Sequence, residues 1–347
     1  MLVLADQPTP AQRLASLAGF AEALPDPCIL IDRRAVVRHC NAAARREFPS
    51  LVPGGLLTLA LRSPVLLGAI DEVRAGGAAR SVELHQAVPN ETWYRAHVAP
   101  LAETEGELVL TLHNLTEAKR TDRLRADFIA NASHELRTPL TSLVGFIDTL
   151  LGPAANDAAA RQRFLGIMRQ QAARMSSLID DLLSLSRIEM RQHQRPTGEV
   201  DVAQLLREVC EGFEMRAAEA GVRLAITAPA PAPVTGDRNE LYEVFENLID
   251  NAIKYGGGGQ VEAVVGEGRE GFAYAVAITD HGAGIAPEHV PRLTERFYRV
   301  DADSSRKQKG TGLGLAIVKH IVNRHHGQLR IRSTPGVGTT VEVLLNR

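Results

Sequence analysis

The sequence predicts a multidomain α+β protein in which a small α/β domain, a helical hairpin and a second α/β domain follow one another. Three observations predict it: short strand patterns in residues 20–113, two long helical patterns in residues 114–192, and mixed patterns with Gly-rich turns in residues 197–347. The length of 347 residues suits two to three domains, and 45% hydrophobic residues is ordinary for globular cores. The net charge of −2 argues against a general nucleic-acid binder.

Residues 20–113 contain five strand patterns around a central helical stretch. Two β-rich runs, CILID and VVRHC, precede the helix-like NAAARREF and a Pro/Gly break at residues 52–55. The runs SVELHQAV, TWYRAHVAPL and ELVLTLHNL then alternate apolar and polar residues, which predicts three antiparallel strands. This order of two strands, helices and three strands resembles a PAS sensor domain. Trp93 and Tyr94 could line a ligand cavity in it, although aromatic residues in strands more often belong to the core.

A helical pattern with few breaks leads from the last of these strands into residues 127–151. Its apolar positions share one stripe at spacings of four and seven: Leu124, Phe128, Ala132, Leu136 and Leu143. His134 lies about 200° around the axis from that stripe, so we expect it to be exposed. Thr138 is one turn further on the same face, and Pro139 is expected to bend the helix beyond the histidine.

The chemistry around His134 is narrowed by what the spacing excludes. A zinc protease helix needs a second histidine four residues on, where this sequence has Thr138. Ser133, His134 and Glu135 cannot form a catalytic triad, because neighbours on a helix diverge by about 100°. The helix alone leaves a solvated histidine beside a carboxylate, either with a function or as a surface histidine with no role.

The wording of residues 127–151, with His-Glu-Leu-Arg-Thr-Pro-Leu at its centre, resembles the phosphoacceptor box of the sensor histidine kinases of two-component systems. The resemblance implies that His134 accepts the γ-phosphoryl group of ATP on Nε2 and passes it to an aspartate of a separate response regulator. It implies that Glu135 accepts a hydrogen bond from Nδ1, which leaves Nε2 as the nucleophile. Thr138 would help to position water when the enzyme removes phosphate from the regulator.

A second helical pattern completes the predicted hairpin. Residues 152–160, GPAANDAAA, interrupt the helix, and residues 161–190 resume it. The apolar seam of this helix has steps of three and four at Met168, Gln171, Met175, Leu178, Leu182 and Leu185. Such hairpins usually pair into a symmetric four-helix bundle, so we expect a homodimer; the alternative is a hairpin packed on its own neighbours.

Residues 197–347 combine helices and strands with Gly-rich segments. DRNELYEVFENLIDNAIKYG predicts a helix on which Asn247 and Asn251, four residues apart, share one face where their oxygens could meet a cation. After the apolar strand AYAVAIT, the glycines of DHGAGIAP allow a tight turn. KGTGLGLAIVKHIV opens a helix whose N-terminal amides could hold phosphate. Its spacing fits neither a dinucleotide fingerprint nor a Walker loop.

Four segments in this order resemble the boxes of the ATP domain that histidine kinases share with DNA gyrase, HSP90 and MutL. They are the N segment ENLIDNAIKYG, the G1 segment DHGAGIAP, the F segment ERFYRV and the G2 segment KGTGLGLAIV. The resemblance implies that Asp280 binds the adenine amino group and that Asn251 ligates Mg²⁺ with Asn247 close by. Residues 294–309 would form a lid, with Lys307 near the triphosphate. The other implied nucleotide contacts are Lys254, Tyr255, Gly282, Gly284, Tyr298, Arg299, Gly310, Thr311, Gly312, Leu313 and Gly314.

The sequence therefore indicates a dimeric sensor histidine kinase that uses ATP and Mg²⁺ and resembles the phosphate-regulon sensor type. Two other functions stay open. The protein could act mainly as a phosphatase of its regulator, with Thr138 essential, or as an ATP-driven conformational scaffold that does not need His134. The signal, the identity of the regulator and the choice between transfer within or between subunits are not encoded in these motifs.

The expected location is the cytoplasm. No segment approaches the length of about 20 apolar residues that spans a bilayer, and the first residues lack a secretory leader pattern. Three cysteines without metal-ligand spacing, Cys28, Cys40 and Cys210, indicate inert thiols in a reducing compartment. Membrane association through a partner or an upstream segment is the alternative.

Overall fold

The computed structural model describes residues 10–76, 78–87, 90–101, 106–191, 194–228, 231–300 and 310–347. The chain forms two compact units, of which the first ends at Asp127 and the second begins at Phe128. Each unit contains helices and a five-stranded sheet. The predicted mixed, multidomain architecture is therefore confirmed.

The first unit contains the five predicted strands in the predicted order. Its elements are α1 (Pro10–Glu22), β1 (Cys28–Ile31), β2 (Val37–Cys40), α2 (Ala42–Glu47), α3 (Leu57–Ala60), α4 (Pro64–Arg74), β3 (Arg80–Gln86), β4 (Thr92–Pro100) and β5 (Leu108–Asn114). The sheet is antiparallel with strand order β2-β1-β5-β4-β3. Helix α1 was not identified from the sequence.

The two aromatic residues that were considered for a ligand cavity lie on opposite faces of β4. Tyr94 is buried, its ring lies 5.4 Å from that of Phe48, and its hydroxyl donates a hydrogen bond to Glu47. Burial raises the pKa of this hydroxyl to about 12. Trp93 faces away from the core, and the Nζ atom of Lys119 lies 5.4 Å from its ring. Tyr94 therefore belongs to the packed core of this unit, as strand aromatics usually do.

The two predicted long helices are α5 (Thr116–Leu151) and α6 (Ala158–Met190). Helix α5 continues through Pro139. Helix α6 begins at Ala158, so the prediction that it resumes at residue 161 was wrong by three residues. The reason is local: the side chain of Asp157 accepts a hydrogen bond from the backbone N–H of Ala160 at 2.9 Å and caps a run of alanines, which are the strongest helix formers.

The rest of the second unit is an α/β fold. Its elements are β6 (Glu199–Asp201), α7 (Val202–Glu219), β7 (Arg223–Thr227), β8 (Pro233–Thr235), α8 (Arg238–Tyr255), β9 (Gln260–Glu267), β10 (Tyr274–Asp280), a 3-10 turn (Val290–Arg292), α9 (Gly314–Arg324), β11 (Gln328–Thr334) and β12 (Gly338–Leu345). The sheet order is β11-β12-β10-β9-β7, with β7 parallel to β9 and the other pairs antiparallel. Strands β6 and β8 form a separate pair.

The helices cover one face of this sheet because each has a continuous apolar side. The predicted buried face of α8 is confirmed: Leu241, Val244, Phe245, Leu248, Ile249 and Ala252 are all buried. Three residues of α6, Leu178, Leu185 and Ile188, belong to the same core. Part of the predicted seam of α6 therefore packs against the α/β fold of its own chain.

A buried histidine fixes the end of α9 to the start of α8. The ring of His325 is fully buried; its Nε2 atom accepts a hydrogen bond from the backbone N–H of Asp237 at 3.0 Å, and its Nδ1 atom donates one to the Ile321 carbonyl at 2.8 Å. Burial lowers the pKa of this imidazole below 6.5. Each ring nitrogen is therefore engaged in the neutral form.

Every helix in the described part of the chain falls short of the length and apolarity that crossing a membrane requires.

Candidate active site

His134 lies on the exposed face of α5, as its spacing from the apolar stripe predicted. In the described residues, its ring has no hydrogen-bond or ion-pair partner. The hydroxyl of Thr138 is also exposed and donates to the His134 carbonyl at 3.3 Å. Pro139 next to it is buried, and since proline has no N–H, the Glu135 carbonyl loses its usual helical donor. The imidazole is therefore free to react with a group that reaches it from solvent.

The carboxylate of Glu135 is engaged by the second helix of the hairpin. Its Oε2 atom accepts a hydrogen bond from a guanidinium nitrogen of Arg174 at 3.0 Å. Both side chains are about one-third exposed, at 29% for Arg174 and 35% for Glu135. Sequence reasoning did not identify Arg174, because the 39 residues that separate it from Glu135 hide the pairing.

The predicted asparagines of the N segment lie on one face of α8. The Asn247 Nδ2 atom donates to the Glu243 carbonyl at 2.9 Å, which leaves its side-chain oxygen for another partner. The amide of Asn251 forms no hydrogen bond to any residue that the structure describes. One turn further on, Lys254 forms an ion pair with Asp250. Two amide oxygens are therefore available on this face to a cation or a ligand.

The end of β10 meets the end of α8 at close range. The backbone N–H of Gly282 donates to the carboxylate of Asp280 at 2.9 Å, and burial raises the pKa of that carboxyl above its usual 3.8. A β-carbon added at Gly282 would lie only 2.1 Å from the Tyr255 carbonyl oxygen. Gly256 also lies close to β10, since a β-carbon added there would lie 3.2 Å from Cβ of Asp280. The N and G1 segments therefore meet with no room for larger residues.

The G1 segment also contacts the turn between β11 and β12. Gly284 has a φ of +67°, and a β-carbon there would lie 2.0 Å from the Thr334 carbonyl oxygen. The backbone N–H of Gly336 donates to the Ala283 carbonyl at 2.7 Å. Glycine is required at position 284 both by its conformation and by this approach.

The G2 segment lies against the N segment. A β-carbon at Gly310 would lie 2.9 Å from the Tyr255 hydroxyl, and one at Gly314, the first residue of α9, would lie 2.5 Å from the side-chain oxygen of Asn247. Gly312, with a φ of +74°, lies between them, and Leu313 is fully buried. The N-terminal amides of α9 therefore begin beside Asn247, which was predicted to lie close to the cation that Asn251 ligates.

The F segment packs on the G2 segment, and its side chains contact the hairpin. The Phe297 N–H donates to the Gly312 carbonyl at 2.8 Å, and the ring centroids of Phe297 and Phe128 of α5 lie 5.9 Å apart. Tyr298 bonds with His289 through its hydroxyl, at 2.7 Å from Nδ1. Burial raises the pKa of the Tyr255 hydroxyl, and the nearby positive charge of Arg299 partly offsets this rise. Lys307 and the rest of 301–309 lie outside the described residues.

Helix α6 makes polar contacts with the G2 segment and with α8 that the sequence did not reveal. The hydroxyl of Thr311 donates to Asp181 Oδ2 at 2.7 Å, and burial raises the pKa of that carboxyl. One turn later, the hydroxyl of Ser184 donates to Glu243 of α8. The spacing of 181 and 184 puts both residues on one face of α6. Their partners on other elements could not be deduced from this spacing.

Taken together, the predicted nucleotide residues converge, and the predicted phosphoacceptor His134 stands apart from them. The N, G1, F and G2 segments meet around the end of β10 and the start of α9. His134 lies six residues after Phe128, which corresponds to about 9 Å along the helix axis from the contact with the F segment. The arrangement can bind a nucleotide close to a helix that presents an exposed imidazole.

Comparisons with known families match the two parts of this site separately. Residues 236–347 match the family described as "Histidine kinase-, DNA gyrase B-, and HSP90-like ATPase", and residues 124–191 match the "His Kinase A (phospho-acceptor) domain". The first match contains the four converging segments, and the second contains His134. The match to the ATPase family implies that the chain binds ATP.

Curated relatives extend the match across both domains. The phosphate regulon sensor protein PhoR of Pseudomonas aeruginosa is 38% identical over 235 residues, which cover 67% of this chain and 53% of that protein. The sensor-like histidine kinase SenX3 of Mycobacterium bovis is 35% identical over 237 residues, 68% of this chain and 57% of its own length. The sensor protein kinase WalK of Staphylococcus saprophyticus is 36% identical over 239 residues, but only 39% of that protein is covered. The chain thus matches about half of the length of these relatives or less.

A solved structure resembles most of the fold. The histidine kinase ThkA, determined in complex with the response regulator protein TrrA, covers 94% of this chain with a TM-score of 0.51 at 18% identity. At this identity the likeness bears on the fold alone. With both domain families and the sensor kinases matched in sequence, the chain belongs to the two-component sensor histidine kinases, and its predicted resemblance to the phosphate-regulon type is confirmed.

Proposed function

We propose that the protein transfers the γ-phosphoryl group of ATP to His134 and then to an aspartate of a partner response regulator. The observation that carries this proposal is the convergence of the N, G1, F and G2 segments in the same compact unit as an exposed, unbonded histidine. A merely structural histidine would need neither the glycine-lined site nor the free imidazole. We further propose the domain limits 20–113, 114–192 and 197–347.

The nucleotide site has residues suited to each part of ATP. The half-buried carboxylate of Asp280 can accept a hydrogen bond from the adenine amino group. The glycines of the G2 segment expose backbone amides at the start of α9, where partial positive charge favours phosphate. Lys254, Tyr255 and Arg299 lie around the same space and would contact the nucleotide. The remaining proposed contacts with the nucleotide come from the G1, F and G2 segments: Gly282, Gly284, Tyr298, Gly310, Thr311, Gly312, Leu313 and Gly314.

The available amide oxygens fit a magnesium ion. Asn251 would ligate the ion and Asn247 would lie beside it, because oxygen ligands are what Mg²⁺ prefers and neither side-chain oxygen has another bond within the described residues. When bound, the ion neutralises charge on the triphosphate. The role of this face of α8 is to hold the phosphates in one orientation relative to the N-terminus of α9.

The transfer itself requires an unprotonated nitrogen. His134 Nε2 attacks the γ-phosphorus, a P–N bond forms, and the bond from phosphorus to the β–γ bridging oxygen breaks, which leaves ADP. Glu135 would hold the proton on Nδ1, which keeps Nε2 as the nucleophile. A carboxylate oxygen of the regulator's aspartate then attacks phosphorus and the P–N bond breaks. Thr138, exposed one turn away, would position the water that removes phosphate from the regulator.

We propose a sensor role of the PAS type for the first unit. The antiparallel order β2-β1-β5-β4-β3, with helices between β2 and β3, supports this proposal. Helix α5 begins two residues after β5 ends and includes His134, so a change in the sheet could reach the histidine through a continuous helix. A hybrid in which an unrelated PAS sheet replaces residues 20–113 should still autophosphorylate but lose its response to the native signal.

We also propose that the protein is a homodimer. Four residues of α5 repeat at steps of four, three and four and are between 43% and 78% exposed: Leu140, Val144, Ile147 and Leu151. This spacing is typical of a seam that packs against another helix. In the four-helix bundle we propose, a second copy covers this stripe. Light scattering should give twice the chain mass, and Val144→Glu should give a monomer.

Labelling with ATP tests the function directly. The full chain is incubated with Mg²⁺ and γ-labelled ATP, beside His134→Ala, Asn251→Ala and two matched controls, Asn131→Ala on α5 and Asn239→Ala on α8, both at exposed positions. We expect acid-labile, base-stable label on the wild type and on both controls but on neither site variant. Label that survives His134→Ala would overturn the assignment of His134 as the acceptor. ATP turnover without label would move the function to the scaffold alternative.

A further inference from the structure

The side chain that faces Glu135 across the hairpin is Arg174, which belongs to none of the nucleotide segments. Its guanidinium donates a hydrogen bond to Oε2 of Glu135, and no other carboxylate in the described ranges pairs with it. The other carboxylate oxygen, Oε1, has no hydrogen-bond partner among the residues described. One carboxylate can therefore bind the guanidinium with one oxygen and still accept a hydrogen bond from an imidazole with the other.

Glu135 needs such a constraint to serve His134. Consecutive residues on a helix point about 100° apart, so the carboxylate of Glu135 does not face the neighbouring ring by default. A glutamate side chain also has several freely rotating bonds, and exposed rotamers interconvert rapidly. A cation on the opposite helix restricts both the position and the orientation of the carboxylate. In the described part of the chain, Arg174 is the only charged side chain that pairs with Glu135.

We propose that Arg174 is a positioning residue for phosphoryl transfer: it holds Glu135 by Oε2 and leaves Oε1 available to accept a hydrogen bond from Nδ1 of His134 when transfer occurs, so that Nε2 is the nucleophile. The proposal rests on the proposed function of His134. It assigns to α6 a part in the chemistry, beyond completing the hairpin.

The proposal predicts a defect in rate without a defect in ATP binding. Arg174→Ala should lower the rate of His134 labelling at saturating ATP by about tenfold, because an unheld general-base or orienting group loses most of its contribution. The KM for ATP should not change, since the nucleotide residues lie on other elements. Arg174→Lys should be faster than Arg174→Ala but slower than the wild type, because lysine keeps the positive charge without the planar set of donors of the guanidinium.

A double-mutant cycle tests whether Arg174 acts through Glu135. The variants are Arg174→Ala, Glu135→Gln and the two combined, with Arg169→Ala as the matched control because Arg169 is an exposed arginine on the same helix. If Arg174 only positions Glu135, the double variant should label as slowly as Glu135→Gln alone. Thermal unfolding should change little in all of them, because a partly exposed pair contributes little to stability.

The outcomes separate this proposal from the function on which it rests. Rate losses that multiply in the double variant, or a wild-type rate in Arg174→Ala, would overturn the positioning role while leaving the kinase proposal intact. A loss of rate that follows a loss of thermal stability, with no recovery in Arg174→Lys, would assign Arg174 a structural role instead. Absence of label on the wild type, with ATP binding retained, would overturn both.

Discussion

Two glycines of positive φ offer a test of the nucleotide site. Alanine strains the backbone at both positions, but it collides with another segment at only one of them. Gly284 in the G1 segment has a φ of +67°, and Gly336 in the facing turn has a φ of +77°. Alanine costs about 1 kcal/mol at either position, because its β-carbon disfavours this conformation. At Gly336 the new β-carbon would meet nothing within 4 Å, whereas at Gly284 it would lie 2.0 Å from the Thr334 carbonyl oxygen and 2.6 Å from its carbon.

The collision at Gly284 must be relieved by a movement of more than about 1 Å, since carbon–oxygen contacts are normally above about 3 Å. Overpacking of this kind costs about 1–3 kcal/mol, and the segment that must move directly follows Asp280. We therefore expect Gly284→Ala to weaken nucleotide binding by about tenfold or more, and Gly336→Ala by about twofold or less.

The assay is a titration of each full-length variant with a fluorescent ATP analogue, with thermal unfolding measured in parallel. Equal affinities for the two variants would refute the reasoning, because they would mean that the close approach of the G1 segment to the β11–β12 turn does not shape the nucleotide site. Equal loss of thermal stability with unequal affinity would assign the effect to the site itself.

Three further predictions concern α6 and the buried histidine. Asp181→Asn keeps a hydrogen-bond acceptor for Thr311 of the G2 segment but removes a negative charge. ATP should therefore bind about fivefold tighter, which corresponds to about 1 kcal/mol at a screened site. The control Asp180→Asn, at an exposed position, should have no effect in the same titration. Because the folded pKa of His325 lies below 6.5, its contribution to stability is complete above pH 6.5 and is lost as pH falls through the folded pKa. The loss is about 1.4 kcal/mol for each pH unit between the folded and the unfolded pKa. In thermal unfolding measured against pH, His325→Gln should flatten this part of the profile. In the double variant Ser184→Cys/Glu243→Cys, a dibromobimane bridge should block labelling of His134 but leave ATP binding unchanged. The same variant without the bridge should label. Labelling of the bridged protein would show that these contacts need not open.

The nucleotide site could be predicted because its signals are local. The glycines at 282, 284 and 312 mark positions where the backbone turns or approaches another segment, and a sequence states them directly. The buried face of α8 follows from helical periodicity. The start of α6 was also a local signal, since Asp157 before three alanines is an N-cap, but the Gly, Pro and Asn residues around it favoured a longer loop.

The contacts that connect the hairpin to the nucleotide site could not be predicted in the same way. Thr311 and Asp181 are 130 residues apart in sequence, and Ser184 and Glu243 are 59 apart. Each of these residues is unremarkable on its own helix or loop, where a hydroxyl or carboxylate is normally solvated. Their pairing follows from how α6 packs on α8 and α9, and no single-sequence pattern contains that information.

The position of these contacts constrains the reaction. The pair Glu135–Arg174 marks the level at which α6 passes His134, the proposed phosphoacceptor, and Asp181 lies seven residues further, or about 10 Å along the helix. The G2 segment is bonded to α6 at that second level, whereas attack requires the γ-phosphorus within about 3.5 Å of Nε2. If His134 accepts the phosphoryl group as we propose, the α/β fold must move along the hairpin, or reach the histidine of a second copy, before transfer. The contacts at Asp181 and Ser184 hold the α/β fold on α6 and would have to break for that movement, which is what the dibromobimane bridge between positions 184 and 243 tests.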